Sequence, residues 1–113
     1  PAFYNAQRFT LNVTRAAMRR MGWSPSVRLF EAGSCGVPVI SDDWPGLDEL
    51  FADGTAIAIA RDTGDVVRAL QGADAAQSRR LGQAARQVVL AGHTGRARAR
   101  EMIGAIEAAP VEP

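Results

Sequence analysis

The stretch SPSVRLFEAGSCGVPVISD, residues Ser24 to Asp42, contains the signals for one helix and one buried strand. Ser24 suits the N-cap position and Pro25 the first helical position, with the hydroxyl of Ser26 near the same end. Gly36 suits the left-handed residue that ends a helix. The apolar segment Val37 to Ile40 then reads as a short strand, and the acidic residues after it as a loop.

Glu31 stands out in this helix because its neighbours in the sequence are mostly apolar, so we expect the helix to be largely covered. A buried carboxylate without a partner is costly. Two interpretations remain open. Glu31 forms a structural ion pair with Arg28 or Arg15, or it binds a ligand.

The segment from Leu29 to Asp42 resembles the sugar-nucleotide-binding segment of retaining GT-B glycosyltransferases, which has the pattern Glu-Ala-x-x-Cys/Ser-Gly-x-Pro-Val-Ile. With the flanking runs Asn12 to Arg15 and Asp43 to Phe51, it is most similar to the CgeB-type, spore-maturation-like branch. The similarity covers roughly residues 3–90 and is strongest over 27–51. The resemblance implies a domain that binds a nucleoside-diphosphate sugar for glycosyl transfer.

Seven residues are expected to contact this donor. The helix N-terminus has free N–H groups and a positive dipole end suited to a diphosphate, although an ordinary capped helix has the same features. The resemblance assigns Glu31 to the ribose hydroxyls and makes Glu49 a second donor contact. The expected donor-binding residues are Ser24, Ser26, Val27, Glu31, Asn12, Arg15 and Glu49.

The chain also departs from the family pattern. Many retaining GT-B enzymes carry a Glu-x₇-Glu pair, but Trp23 stands eight residues before Glu31. In the family, the basic clamp on the diphosphate and the acceptor site lie in segments without a counterpart here. We therefore predict no catalytic residue in this chain and no turnover by it alone, and leave open whether the whole protein is an active enzyme. The alternative is a non-catalytic α/β binding or assembly module.

The order of predicted elements indicates an α/β fold. Alternating Phe9, Leu11 and Val13 predict a strand over residues 8–14. Thr14 is expected to cap the helix that follows. A third uncharged strand is predicted over 55–60 and helices beyond it, with Asp62 or Thr63 and then Thr94 as caps.

About three parallel strands with helices on both faces would be half of a Rossmann-like doubly wound domain, which has about six strands. Residues 1–109 would form this half, the C-terminal half of a GT-B nucleotide-sugar-binding domain, and 110–113 a frayed tail. The start at Pro1 without Met suggests a fragment. One sheet edge would be unpaired, so we expect the missing N-terminal domain, or a second copy in a homodimer, to cover it.

Composition sets the remaining limits. A net charge of +1 gives no case for nucleic-acid binding, and one cysteine favours a reducing, cytoplasmic location. No apolar run approaches the roughly 20 residues of a membrane helix. The carboxylates Asp42, Asp43 and Glu49 have no His or Cys companion, so neither a metal nor a cofactor is expected.

Overall fold

The computed structural model describes residues 1–110, which form a three-stranded parallel sheet and seven helices. The strands are β1 (Thr10–Asn12), β2 (Val39–Asp42) and β3 (Ala58–Ala60), in the order β1-β2-β3. Ile40 of β2 is paired with Leu11 on one side and with Ala58 on the other. The prediction of a three-stranded, parallel, Rossmann-like α/β fragment is confirmed, although every strand is short. The predicted tail beyond residue 110 lies outside the described residues.

The helices are connected by short turns. They are α1 (Ala2–Asn5), α2 (Ala16–Met21), α3 (Val27–Ser34), α4 (Leu47–Leu50), α5 (Thr63–Gly72), α6 (Ala75–Gly92) and α7 (Gly95–Ala108). Side-chain caps begin the three longest: Asp62, Asp74 and Thr94 each accept a hydrogen bond from an amide three residues later. The predicted caps Asp62 and Thr94 are therefore confirmed. No helix within residues 1–110 has the length and apolar character needed to cross a bilayer.

The end of α3 is built as predicted. The Gly36 N–H donates to the carbonyl of Gly33, and the Val37 N–H donates to that of Ala32, which is the Schellman pattern. Gly36 has a φ of 73°, the left-handed conformation that glycine adopts without strain. Helix α6 lies very close to this turn. A Cβ built on Gly82 of α6 would lie only 2.0 Å from the carbonyl oxygen of Gly36.

The core lies between α3, β2, α4 and the end of α6. Its most deeply buried large side chains include Leu29, Ile40, Leu47, Phe51 and Ile57. Burying an apolar side chain of this size stabilises the fold by about 1.5–3 kcal/mol. The core therefore holds α3 and β2 together, the two elements that the opening stretch of sequence predicted.

His93 closes one end of this core. It is the C-cap of α6, and its ring lies 5.2 Å from Phe30 and 6.0 Å from Phe51, centroid to centroid. Burial and the positive charge of Arg98 lower its pKa below the ordinary 6.5, while Glu101 acts in the opposite direction. His93 thus joins the core to the start of α7.

The exposed face of α3 corrects the expectation of a largely covered helix. Leu29, Ala32 and Gly33 are buried, but Glu31 is exposed. The helix begins at Val27 with Ser26 as its N-cap, so Ser24 and Pro25 lie before it. Ser26 takes the cap because its hydroxyl accepts the Arg28 N–H at 3.3 Å.

In strand β1 the polar side chains are buried and the apolar side chain is exposed. Thr10 and Asn12 are buried, whereas Leu11 is 52% exposed and Val13, just beyond the strand, is 70% exposed. Phe3 of α1 and Tyr4 line the same surface groove as Leu11 and Val13. The period of two was predicted correctly, but the apolar side faces solvent at the unpaired sheet edge.

Candidate functional site

The carboxyl ends of the three strands lie at one edge of the sheet, which is where open parallel sheets bind ligands. The last residues of the strands are Asn12, Asp42 and Ala60. Two of these three are polar. The predicted strand boundary placed Asp42 in a loop, but it is the last residue of β2 and only partly buried.

Asn12 connects three elements at this edge. It is 1% exposed, and its Nδ2 donates to Ser41 Oγ at 3.1 Å while its Oδ1 accepts from a guanidinium nitrogen of Arg28 at 3.4 Å. The amide therefore ties β1 to β2 and to the first turn of α3. Because its side chain is buried and hydrogen-bonded, Asn12 holds the ends of β1 and β2 together and places Arg28 beside them.

Asp42 fixes the loop that follows β1. Its carboxylate accepts the N–H of Thr14 at 3.0 Å and the Thr14 hydroxyl at 2.8 Å, and lies 3.5 Å from Arg19 Nε. The prediction that Thr14 caps α2 is therefore wrong. Arg15 is the N-cap residue and its side chain makes no capping bond. Thr14 instead uses its hydroxyl on the neighbouring strand, since the carboxylate is the stronger acceptor.

The N-terminus of α3 lies next to this edge, through the contact between Arg28 and Asn12. Ser24 and Ser26 are both half-buried, and the hydroxyl of Ser26 already accepts a backbone N–H. Val27 is 67% exposed in the first helical position. The three predicted residues are thus brought together at one helix end, with Ser26 engaged in capping.

Glu31 is exposed on α3, one turn beyond Arg28. Its Oε2 accepts the hydroxyl of Tyr4 at 2.9 Å, and within residues 1–110 it forms no salt bridge with Arg28 or Arg15. The bond to Glu31 raises the pKa of Tyr4, and burial and the negative charge of Glu31 act in the same direction. The ion-pair interpretation of Glu31 therefore does not hold in the described part of the chain.

The other two predicted contacts lie apart from Glu31. Arg15 is exposed at the start of α2. Glu49 is on α4 and lines a separate cavity of about 620 Å³ together with Arg19, Asp43 and Arg61. Two of these lining residues, Asp43 and Arg61, form an ion pair of 3.2 Å. Neither Arg15 nor any of the predicted α3 residues lines the cavity of Glu49.

The two tryptophans differ in burial. Trp44 is 4% exposed and its Nε1 has no hydrogen-bond partner in residues 1–110; it packs in the core, and it also lines the cavity of Glu49. Trp23 is 58% exposed and directly precedes Ser24 at the α3 end of the site. No group of three or more His, Cys, Asp and Glu in the described residues is arranged to hold a metal ion.

Two contacts at the site were missed by sequence reasoning. The bond between Tyr4 and Glu31 joins residues 27 positions apart, and no local pattern announces it. The contact of Arg28 with Asn12 joins a helix to a strand 16 positions away in the sequence, and it likewise has no local signal.

The sequence profile of a family described as glycosyl transferase-like matches residues 1–104. No curated protein sequence matches the chain significantly.

Among solved structures, the chain is similar to a sucrose-phosphate synthase from Thermosynechococcus elongatus, with a TM-score of 0.74 and 24% sequence identity. The match covers 93% of this chain and 26% of the synthase chain. At that identity the likeness shows the fold. The chain thus spans about a quarter of that protein's length.

Proposed function

The chain belongs to the glycosyl transferase-like family, and from that premise we propose that it forms the C-terminal half of a GT-B donor domain. In this proposal it binds a nucleoside-diphosphate sugar at the carboxyl edge of its sheet and needs the rest of the protein for turnover. Residues 1–109 would supply this half. The CgeB-type branch is the proposed subfamily, on the basis of the motif and its flanking runs.

The observation that carries the proposal is the Glu31 carboxylate. This side chain is exposed on helix α3, and within residues 1–110 it accepts one hydrogen bond, from Tyr4. A carboxylate has about four acceptor positions, so enough remain for the two hydroxyls of a ribose. Arg28 lies one turn nearer the sheet edge and offers a guanidinium on the same helix face.

The diphosphate would lie at the N-terminus of α3. Backbone N–H groups and the helix dipole favour an anion there. Ser24 and Ser26 flank this end, and Arg15 is exposed at the start of α2. In this arrangement the chain positions the donor and stabilises the leaving diphosphate.

The remaining part of the donor domain would pair with β1. Leu11 and Val13 are exposed at this unpaired edge, and Phe3 and Tyr4 line the same groove of about 340 Å³. A further parallel strand would satisfy the open backbone groups of β1 and cover these side chains. In the alternative arrangement, a homodimer, a second copy of the chain covers this edge.

The test is calorimetric titration of UDP, GDP, ADP and CDP into two proteins. One is the 113-residue chain, and the other is extended upstream of Pro1 by the coding sequence that precedes it. We expect one nucleotide to bind the extended protein, and to bind the short chain weakly. Glu31→Gln in the extended protein should weaken that binding about tenfold, equivalent to about 1.4 kcal/mol.

Glu107→Gln is the matched control, because Glu107 is also exposed but lies on the distant helix α7. Unchanged affinity in Glu31→Gln would disprove the ribose role.

The second candidate is a non-catalytic binding or assembly module. Trp23 favours it, because this residue replaces the first carboxylate of the Glu-x₇-Glu pair. Binding of no nucleoside diphosphate by the extended protein would support this module over a donor domain.

A further inference from the structure

Trp23 has a conformation that is unusual for a large side chain. Its φ is 51°, and it is the non-glycine residue with positive φ in residues 1–110. Its N–H donates to the carbonyl oxygen of Pro45 at 2.8 Å, which ties it to the turn after β2. The side chain is nevertheless 58% exposed, so this backbone does not serve to bury the indole.

One face of the indole lies on a glycine. A Cβ built on Gly46 would come within 2.5 Å of Trp23 Cδ2 and within 2.7 Å of Cε2 and Cε3. These atoms belong to the six-membered ring, so the ring rests on the backbone of Gly46, and a larger residue there would displace it. Because Gly46 covers one face, the exposed surface belongs to the opposite face and the edges.

Trp23 lies next to the α3 end of the candidate site, and Gly46, on which its ring rests, lines the cavity that contains Glu49. Trp23 directly precedes Ser24 and lies three residues before the N-cap Ser26. In the proposed function the diphosphate lies at this helix end, so the sugar that it carries lies beside the residues that precede the helix. An indole cannot accept hydrogen bonds from sugar hydroxyls, but a flat, backed ring provides a rigid apolar contact surface.

We propose that Trp23 is a stacking platform for the sugar ring of the donor. The inference rests on the proposed function. The C–H face of a hexose would lie on the open face of the indole, and Gly46 would hold the ring in place from behind. In this arrangement the site favours any sugar that presents adjacent C–H groups on one face, and it does not require a particular pattern of hydroxyls.

The test compares a nucleoside diphosphate with its hexose conjugate, for example UDP with UDP-glucose and UDP-galactose, on the extended protein. The difference in fluorescence between the parent protein and its Trp23→Phe variant isolates the signal of Trp23, because the buried Trp44 and any tryptophan of the extension contribute equally to both. We expect the sugar conjugate to shift Trp23 fluorescence and the free diphosphate to leave it nearly unchanged. Trp23→Leu should weaken binding of the conjugate about tenfold, and Trp23→Phe should retain most of the affinity.

Each outcome decides between the claims. If the diphosphate binds but Trp23→Leu weakens it and its conjugate equally, Trp23 contacts the nucleotide or only shapes the loop, and the platform is disproved while the donor site stands. If the diphosphate binds and Trp23→Leu changes neither affinity, the platform is likewise disproved. If no nucleoside diphosphate or conjugate binds, both the proposed function and the platform fail.

Discussion

Two sides of the sheet contrast within this chain. On the α3–α6 side, Leu29, Val39 and Phe51 are nearly inaccessible, and glycines allow α6 to lie against the end of α3. On the β1 side, Leu11 and Val13 are more than half exposed, although they continue an apolar alternation. The first region contains its own packing partners. The second has the side chains of an interior and no partner for them within residues 1–110.

The contrast shows where the fold depends on further contacts. Large apolar side chains at an unpaired strand edge favour association with another strand. In the proposed donor domain, that strand belongs to the other half of the domain. If the exposed side chains of β1 lack their partners, substitutions on the packed side should lower the stability of this chain far more than substitutions on the β1 side.

The largest expected effect is a matched pair of leucine truncations. Leu29→Ala should lower the free energy of unfolding by about 2–5 kcal/mol, since Leu29 is 1% exposed in the core. Leu11→Ala should change it by less than about 0.5 kcal/mol in the 113-residue chain. Urea unfolding measures both. In the extended protein, Leu11→Ala should cost about 2 kcal/mol, and a persistently neutral Leu11 would contradict the pairing of β1.

Gly82→Ala sharpens the description of the packed side. The new Cβ would overlap the Gly36 carbonyl oxygen, so the helices must separate, at a cost of about 1–3 kcal/mol. Gly92→Ala is the control in the same helix, because nothing lies within 4 Å of its Cβ position. Thermal unfolding should show a lower midpoint for Gly82→Ala than for Gly92→Ala, and equal midpoints would contradict the close approach.

Asp42→Ala tests the link between the two sides, because it removes the acceptor that holds Thr14 to β2. A hydrogen bond to a charged group contributes about 1.5–3 kcal/mol, and partial exposure places the expected loss near the lower value. Hydrogen exchange should accelerate at the Thr14 amide. Asp48→Ala, another carboxylate that accepts a backbone N–H, should leave that amide unchanged.

The smallest effect is a pH dependence at the end of the core. The folded-state pKa of His93 is lowered by burial and by Arg98, so protonation favours the unfolded chain. Stability is therefore full above the ordinary pKa of 6.5 and declines as the pH falls below it. Urea midpoints measured from pH 7.5 to 5.5 should decrease, and His93→Gln should reduce this decrease. An identical slope in the variant would exclude His93 as its origin.

Local signals in the sequence predicted much of the fold. The caps Asp62 and Thr94 and the terminator Gly36 act within a few residues, so their partners are visible in the sequence. The alternation around Leu11 also revealed a strand. The sequence did not show which face of this strand is buried, because that depends on packing against segments that are distant in the sequence.

The candidate site shows the same limit. Ser24 and Ser26 both satisfy the cap preference, and only the geometry selects Ser26. Threonine is a favoured N-cap residue, but the Thr14 hydroxyl donates instead to the carboxylate of Asp42, which is 28 residues away in the sequence. Glu31 was expected to be buried because its neighbours are apolar, yet its turn of the helix faces outward beside Tyr4. Contacts between distant segments decided each of these cases.

The anchoring of Thr14 by Asp42 has a consequence for any molecule that reaches this edge. The segment after β1 is held by two hydrogen bonds to the neighbouring strand. Its conformational freedom is therefore lost when the protein folds rather than when a ligand arrives, and immobilising this loop subtracts nothing further from the affinity.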